Sequence, residues 1–164
     1  MNRTDSSLIK IENESYSTTG PLRSVGIALR ATQTEAVIIL HGDLVFSPQT
    51  LQFPLNKSLL VVDNNFMNEN EVGLTICDGE IEYLYYDLPK KWAQASFFCK
   101  KELKLLKGVA WNPDKNKLFL FEAINHIIEK GGRFMAYEHP DVKVIDVDKP
   151  SDIQRAQQLI KGNL

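Results

Sequence analysis

Glu35-Ala-Val-Ile-Ile-Leu-His-Gly-Asp-Leu-Val-Phe46 is the stretch on which the reading of this chain turns. Residues 36–40 are apolar without interruption. The run is too short for a helix that would stand alone, and it suits a strand buried on both faces, as in a parallel sheet covered by helices. It breaks at His41-Gly42-Asp43, which puts a glycine and a carboxylate just past the strand's C-terminal end. In open α/β sheets that edge is where ligands sit. Gly42 lets the backbone approach a ligand closely, and Asp43 offers the hard oxygen that Mg²⁺ prefers. Gly-Asp is equally an ordinary turn, and the stretch alone leaves both readings open.

Upstream, Asn13-Glu-Ser-Tyr-Ser-Thr-Thr-Gly20 is rich in turn formers and leads to Pro21, well placed in the first turn of a helix with Gly20 or Thr19 as its cap. Leu22, Val25, Ala28 and Leu29 follow at helical spacing, which predicts a helix over Pro21–Ala31. Residues 8–11 could add a short strand, and 1–7 are polar and expected to be disordered. Downstream, Ser47-Pro48 starts a short helix through Leu51, which Pro54 stops. Residues 58–62 form a second apolar run, ending in Asp63-Asn-Asn65. Residues 71–76 and 80–85 flank Asp78-Gly79, the strongest hairpin signal in the chain.

A strand at 95–98 and a helix at 100–106 come next. Leu120, Phe121, Ile124, Ile127 and Ile128 then mark one face of a helix ending at Gly131-Gly132, with His126 off that stripe and solvated. Residues 133–137 and 142–147 read as strands. The last helix, Pro150–Ile160, is expected to turn Ile153, Ala156 and Ile160 to the core. Strands and helices alternate, so the fold class is α/β with a mostly parallel sheet plus a β-hairpin, in a single domain over 1–164.

Composition narrows the function classes. A net charge of −2, with 24% charged residues, gives no electrostatic footprint for nucleic acid or a membrane surface. The one basic cluster, at 100–107, is interrupted by Glu102 and three leucines and reads as the solvated side of a helix. Cys77 and Cys99 lack the spacing of a zinc site and point to a reducing compartment. No run approaches a membrane span or the apolar core of a signal peptide, so the expected location is cytoplasmic.

A second group of carboxylates lies in Val144-Ile-Asp146-Val-Asp148-Lys-Pro-Ser-Asp152. Asp146 and Asp148 alternate with Ile145 and Val147, so they share one face of a strand end and repel unless a cation lies between them. The same segment also reads as a cap, with Asp148 or Lys149 before Pro150 and Asp152 in the first turn. Asp43 and Asp148, at two strand ends, could clasp a single Mg²⁺ with phosphates completing its shell.

The order of these segments resembles the C-terminal two-thirds of the nucleotidyltransferases that join a nucleoside triphosphate to a phosphorylated small molecule, in the phosphocholine-cytidylyltransferase-like and sugar-phosphate branches. The matching stretches are the segment ending in Thr19-Gly20 with Ser24 in the helix after it, Val37-Ile-Ile-Leu-His-Gly-Asp-Leu-Val-Phe46, and Asp146-Val-Asp-Lys-Pro-Ser-Asp-Ile-Gln-Arg-Ala156. Gly20-Pro-Leu-Arg-Ser-Val is also similar to the molybdenum-cofactor guanylyltransferases. The resemblance implies a Rossmann-like (GT-A-like) fold and makes Asp43 and Asp148 the catalytic, metal-binding aspartates with Asp146 beside them. It sets Thr19, Gly20 and Gly42 near the nucleotide.

It also implies Mg²⁺ and in-line attack of an acceptor phosphate with loss of pyrophosphate. The family opens with a strand, a glycine-rich loop, an arginine and a lysine that hold the triphosphate, and these have no counterpart here. The first strand–loop–helix is therefore expected to be missing, the isolated chain inactive, and the partner a second copy or a separate N-terminal chain that covers the strand around Val37 and Ile39. A catalytically inactive binding module is the alternative. A GT-A-type glycosyltransferase, from the D-x-D of Asp146 to Asp148, is the third reading.

Overall fold

The computed structural model describes residues 9–64 and 71–162. Its elements are α1 (Pro21–Ala31), β1 (Ala36–Leu40), β2 (Leu44–Phe46), β3 (Leu59–Asp63), β4 (Val72–Cys77), β5 (Glu80–Tyr86), β6 (Lys90–Cys99), α2 (Lys100–Ala110), α3 (Leu120–Glu129), β7 (Met135–Glu138), β8 (Val144–Asp146) and α4 (Pro150–Ile160), with 3-10 turns at Pro48–Leu51 and Pro113–Lys115. The expected disordered segment 1–7, the start of the expected strand at Leu8 and the end of the expected loop at Asn65 lie outside the described residues. Residues 9–11 form no strand.

Six strands make one sheet in the order β1-β6-β3-β7-β5-β4, and β4 also pairs with β6. The α/β class expected from the sequence is what the chain has. The mostly parallel sheet narrows to one parallel pair, β3 with β7, in a mixed sheet whose other registered pairs are antiparallel. An apolar run records burial and carries no sign of direction, so local pattern could not supply this. The hairpin is as read: Asp78 (φ 50°) and Gly79 (φ 78°) both take positive φ, as a two-residue turn matching strand twist requires.

α1, α2 and α3 cover one face of the sheet, where Leu22, Leu60, Leu74, Phe98, Leu106, Ile124 and Phe134 form the larger core cluster. On the opposite face Phe53, Val61, Phe97, Val142 and Val144 form a second. The helix starts follow the proline signals, with Gly20 and Lys149 as N-caps before Pro21 and Pro150. In α4 only Ala156 is buried, while Ile153 and Ile160 are exposed, so the expected core face of that helix is corrected to a single residue. An 11-residue helix resting on the small β2–β8 ladder has little sheet to bury against.

β1 departs from expectation too. Its residues alternate between exposed and half-buried instead of being covered on both faces. It sits at the end of the sheet order, where, among the described residues, no strand and no helix lies over Ala36, Ile38 and Leu40.

Candidate functional site

The site grows from a small piece of sheet that the apolar pattern did not reveal. After the turn at His41-Gly42-Asp43, β2 pairs antiparallel with β8, with Leu44 opposite Asp146 and Phe46 opposite Val144. The ladder is extended by the Val147 N–H donating to the Asp43 carbonyl at 3.0 Å. Two segments a hundred residues apart in sequence are thereby zipped together, and their carboxylates meet. Oxygens of Asp43, Asp146 and Asp148 all lie within 4.8 Å of one another.

These carboxylates stand at one corner of a cleft of about 870 Å³. Another part of its wall is built by β6, whose course over Trp92 to Ser96 is irregular. The register against β3 shifts between Leu60 and Val62, and Gln94 takes φ 54°. Bulges of this kind re-aim a side chain beside an active site. Here the Gln94 amide donates to Asp146 Oδ2 at 2.6 Å. Among the described residues, buried Asp146 Oδ1 has no hydrogen-bond partner, and neither has the indole N–H of Trp92, a residue 2% exposed that also lines the cleft. A buried polar atom left unpaired is costly, so two such atoms in one cleft point to a bound partner.

The cleft is acidic. Asp43, Glu71, Asp146, Asp148 and Asp152 line it against the cations Lys91, Lys149 and Arg155. Lys91 is buried with its Nζ 2.6 Å from Glu71, and Arg155 stands 3.8 Å from Asp152. Burial pushes the Asp146 carboxyl above its ordinary value; Gln94 and Lys91 work against that shift, while Asp43 and Asp148 add to it by repulsion. Burial lowers His41 below its ordinary value, opposed by the nearby Asp43 and Asp146 charges and by Gln94. The His41 ring meets Trp92 edge-on at 5.5 Å, and Tyr86, Phe119 and Phe121 continue an aromatic wall.

Of the residues singled out from the sequence, Asp43, Asp146 and Asp148 come together. Thr19 and Gly20 line a different, shallower recess with Ser17, Thr18 and Lys117. Thr19 is held by Asn13 and Ser15, and Gly20 N donates to the Asn116 carbonyl at 2.8 Å. A Cβ on Gly20 would run into the Lys117 carbonyl, so close backbone packing accounts for this glycine. Gly42 faces open space. Lys91, Trp92 and Gln94 were missed because the strand was started at residue 95. Lys91 is buried and ion-paired with Glu71. Cys77 and Cys99 are free, and no helix among the described residues is long and apolar enough to cross a membrane.

No protein-family model and no curated protein matches the sequence. Solved structures do match. The chain is similar to the inositol-1-phosphate CTP transferase from T. maritima, with a TM-score of 0.74 at 15% identity over 94% of this chain and 67% of that one. It is similar to the CTP:phosphocholine cytidylyltransferase from Streptococcus pneumoniae, at 0.66 and 14% over 90% and 67%. Apo-UDP-glucose pyrophosphorylase gives 0.63 and 12% over 92% and 63%. Nearly all of this chain thus corresponds to about two-thirds of each of these proteins, and the fold is theirs.

Proposed function

We propose that this chain, having the fold of solved nucleotidyltransferases, takes part in transferring a nucleotidyl group from a nucleoside triphosphate to a phosphorylated small molecule, and that it is incomplete on its own. The meeting of Asp43, Asp146 and Asp148 at one corner of the cleft carries the reading. Their chemistry suits Mg²⁺. All three offer hard oxygens, and neighbouring oxygens on one Mg²⁺ lie about 3 Å apart, so closing on the ion asks for movements of only about an ångström. The unpartnered Asp146 Oδ1 is an acceptor such an ion would satisfy. When bound, the ion supplies neutralisation of phosphate charge and of the departing pyrophosphate.

The chain's own residues do the rest. Asp43 from the turn before β2 and Asp148 from the turn before α4 flank Asp146, and Gln94 fixes its carboxylate by holding Oδ2. Trp92 and His41 wall the cleft and exclude water, which strengthens electrostatic contacts inside it. In the reaction an oxygen of the acceptor phosphate bonds to the α-phosphorus. The bond from that phosphorus to the bridging oxygen breaks, and pyrophosphate leaves with the electron pair. An ionised phosphate needs no base to become a nucleophile, so positioning and charge stabilisation carry the catalysis.

Metal titration followed by thermal unfolding tests the site. Mg²⁺ is expected to raise the Tm of the purified chain, by the equivalent of about 2.7 kcal/mol at a hundredfold excess over its Kd, and Asp148→Asn is expected to abolish the rise. Pyrophosphate release by the isolated chain is expected to be undetectable. Absence of any metal-dependent rise would remove the metal site, and robust turnover abolished by Asp43→Ala would remove the claim of incompleteness.

A further inference from the structure

Away from the cleft, Lys115, His126 and Glu129 stand in a row. Lys115 ends the 3-10 turn between α2 and α3, and His126 and Glu129 lie one turn apart in α3. His126 Nδ1 is 3.1 Å from Glu129 Oε2, and Nε2 is 2.9 Å from Lys115 Nζ. An ionised carboxylate only accepts hydrogen bonds, and an ammonium only donates them. Both bonds are therefore made at once when His126 carries its hydrogen on Nδ1 and turns the Nε2 lone pair toward Lys115. The sequence alone reads His126 as solvated, yet its side chain is only 34% exposed.

The turn holds Lys115 in place. Its N–H donates to the Asn112 carbonyl at 3.0 Å, its carbonyl accepts from the Leu118 N–H at 3.2 Å, and the Asn112 side chain accepts from the Asp114 N–H at 3.0 Å. Lys115 and His126 both line a groove of about 660 Å³ between α2 and α3. Leu105 and Val109 give the groove apolar lining, and Lys101, Lys104 and Lys130 bring further positive charge. Among the described residues no carboxylate lines it. A base beside an amine, a carboxylate behind the base and cations around an apolar recess suit an acyl group that arrives on an anionic leaving group.

We propose that Lys115 is a site of Nε-acylation by acyl phosphates, with His126 as the base and Glu129 as the residue that positions it. The modification is independent of nucleotidyl transfer. One proton leaves the Lys115 ammonium to solvent, the amine lone pair forms a bond to the acyl carbon, and a second proton passes to His126 Nε2. The bond from the acyl carbon to the phosphate oxygen breaks, and inorganic phosphate leaves with the electron pair. His126 then returns its proton to that phosphate. Acylation turns the ammonium into a neutral amide, so the groove loses one of its four lysine charges. Among the described residues no other lysine is hydrogen-bonded to a histidine.

The test incubates the full chain with acetyl phosphate and reads the rate at each lysine by peptide mass spectrometry. Lys115 is expected to react about tenfold or more faster than the exposed Lys161 of the same molecules; equal rates would overturn the proposal. His126→Gln still accepts the Lys115 hydrogen bond but cannot take up a proton, and is expected to bring Lys115 down to the rate of Lys161. An unchanged rate would mean that His126 only holds the side chain, and the base would be lost. Glu129→Ala, at the exposed end of α3, is expected to slow Lys115 and not Lys161, with Glu129→Gln, which keeps an acceptor for Nδ1–H, restoring most of the rate. No change in Glu129→Ala would overturn the row, and that variant decides the matter if His126→Gln fails to fold. p-Nitrophenyl acetate, a donor without phosphate, tests the donor class. Lys130→Ala is expected to slow acetylation by acetyl phosphate and not by the ester, and equal slowing would overturn the assignment to acyl phosphates.

Discussion

Ala36–Leu40 and Leu59–Asp63 are nearly the same strand in sequence and opposite in structure. Each is a five-residue strand, one reading Ala-Val-Ile-Ile-Leu and the other Leu-Leu-Val-Val-Asp, aliphatic at every position but Asp63. β3 is buried at every position, between β6 and β7 and between two core clusters. β1 is half open at every position that turns away from the helices. Hydrophobic content is therefore no measure of burial at the level of one strand. What differs is the number of neighbours each strand acquires, and β3 has partners that come from 28–38 and 76 residues further along.

The comparison can be broken at β3 first. Leu60→Ala removes a fully buried side chain from the larger cluster and is expected to cost about 2–5 kcal/mol in denaturant unfolding. A cost below about 1 kcal/mol would mean that β3 is less central than its burial indicates.

Next comes the closure that denies β4 a free edge. A Cβ at Gly73 would strike the Leu88 backbone, so Gly73→Ala is expected to cost about 1–3 kcal/mol and to loosen the β4–β6 pairing, read as faster amide exchange there. Wild-type exchange would show that the sheet closes by other contacts.

The acidic corner gives a smaller effect with a definite sign. Asp146 has its folded-state pKa raised by burial, so between the ordinary 3.8 and that raised value the folded protein binds more protons than the unfolded. Stability then falls as pH climbs through the window, and the ionised carboxylate is a net cost above it. Asp146→Asn is expected to raise the Tm of the metal-free protein at pH 7 and to remove that fall. His41, with its pKa lowered, acts in the opposite direction and loses stability as pH drops below its ordinary 6.5. The test is accordingly the difference between Asp146→Asn and wild type across pH, with His41 present in both. A lower Tm for the variant at pH 7 would show that the carboxylate is held by more than Gln94.

The smallest effect belongs to β1. Ile38→Thr, on the exposed edge, is expected to change the stability of the isolated chain by less than about 0.5 kcal/mol. A loss comparable to that of Leu60→Ala would erase the contrast between the two strands.

Much of the fold was legible because its signals are local. Pro21 and Pro150 mark helix starts through their fixed φ, Gly131 at φ 76° ends α3, and Asp78-Gly79 specifies a hairpin turn. At the site, Asp43, Asp146 and Asp148 stood out because each follows an apolar run at a break. Lys91, Trp92 and Gln94 did not, since a buried ion pair and a strand bulge leave no periodic trace. Ile153 and Ile160 misled for the complementary reason: helical spacing marks one face of α4 but carries no information on whether anything lies against it.

By itself, then, the sequence determined most of the kinds of element, their order and the breaks at which carboxylates fall, because propensity, capping and turn chemistry depend on residues within a few positions of one another. Only the tertiary structure decided that β2 zips to β8 and gathers the three aspartates, that β4 closes on β6 while β1 is left at the rim, and that Gln94 turns toward Asp146. Those outcomes depend on which distant strands win each other as neighbours. Strand pairing joins backbone groups that every residue type other than proline carries alike, so the choice is made by how the whole set of apolar faces can be covered at once.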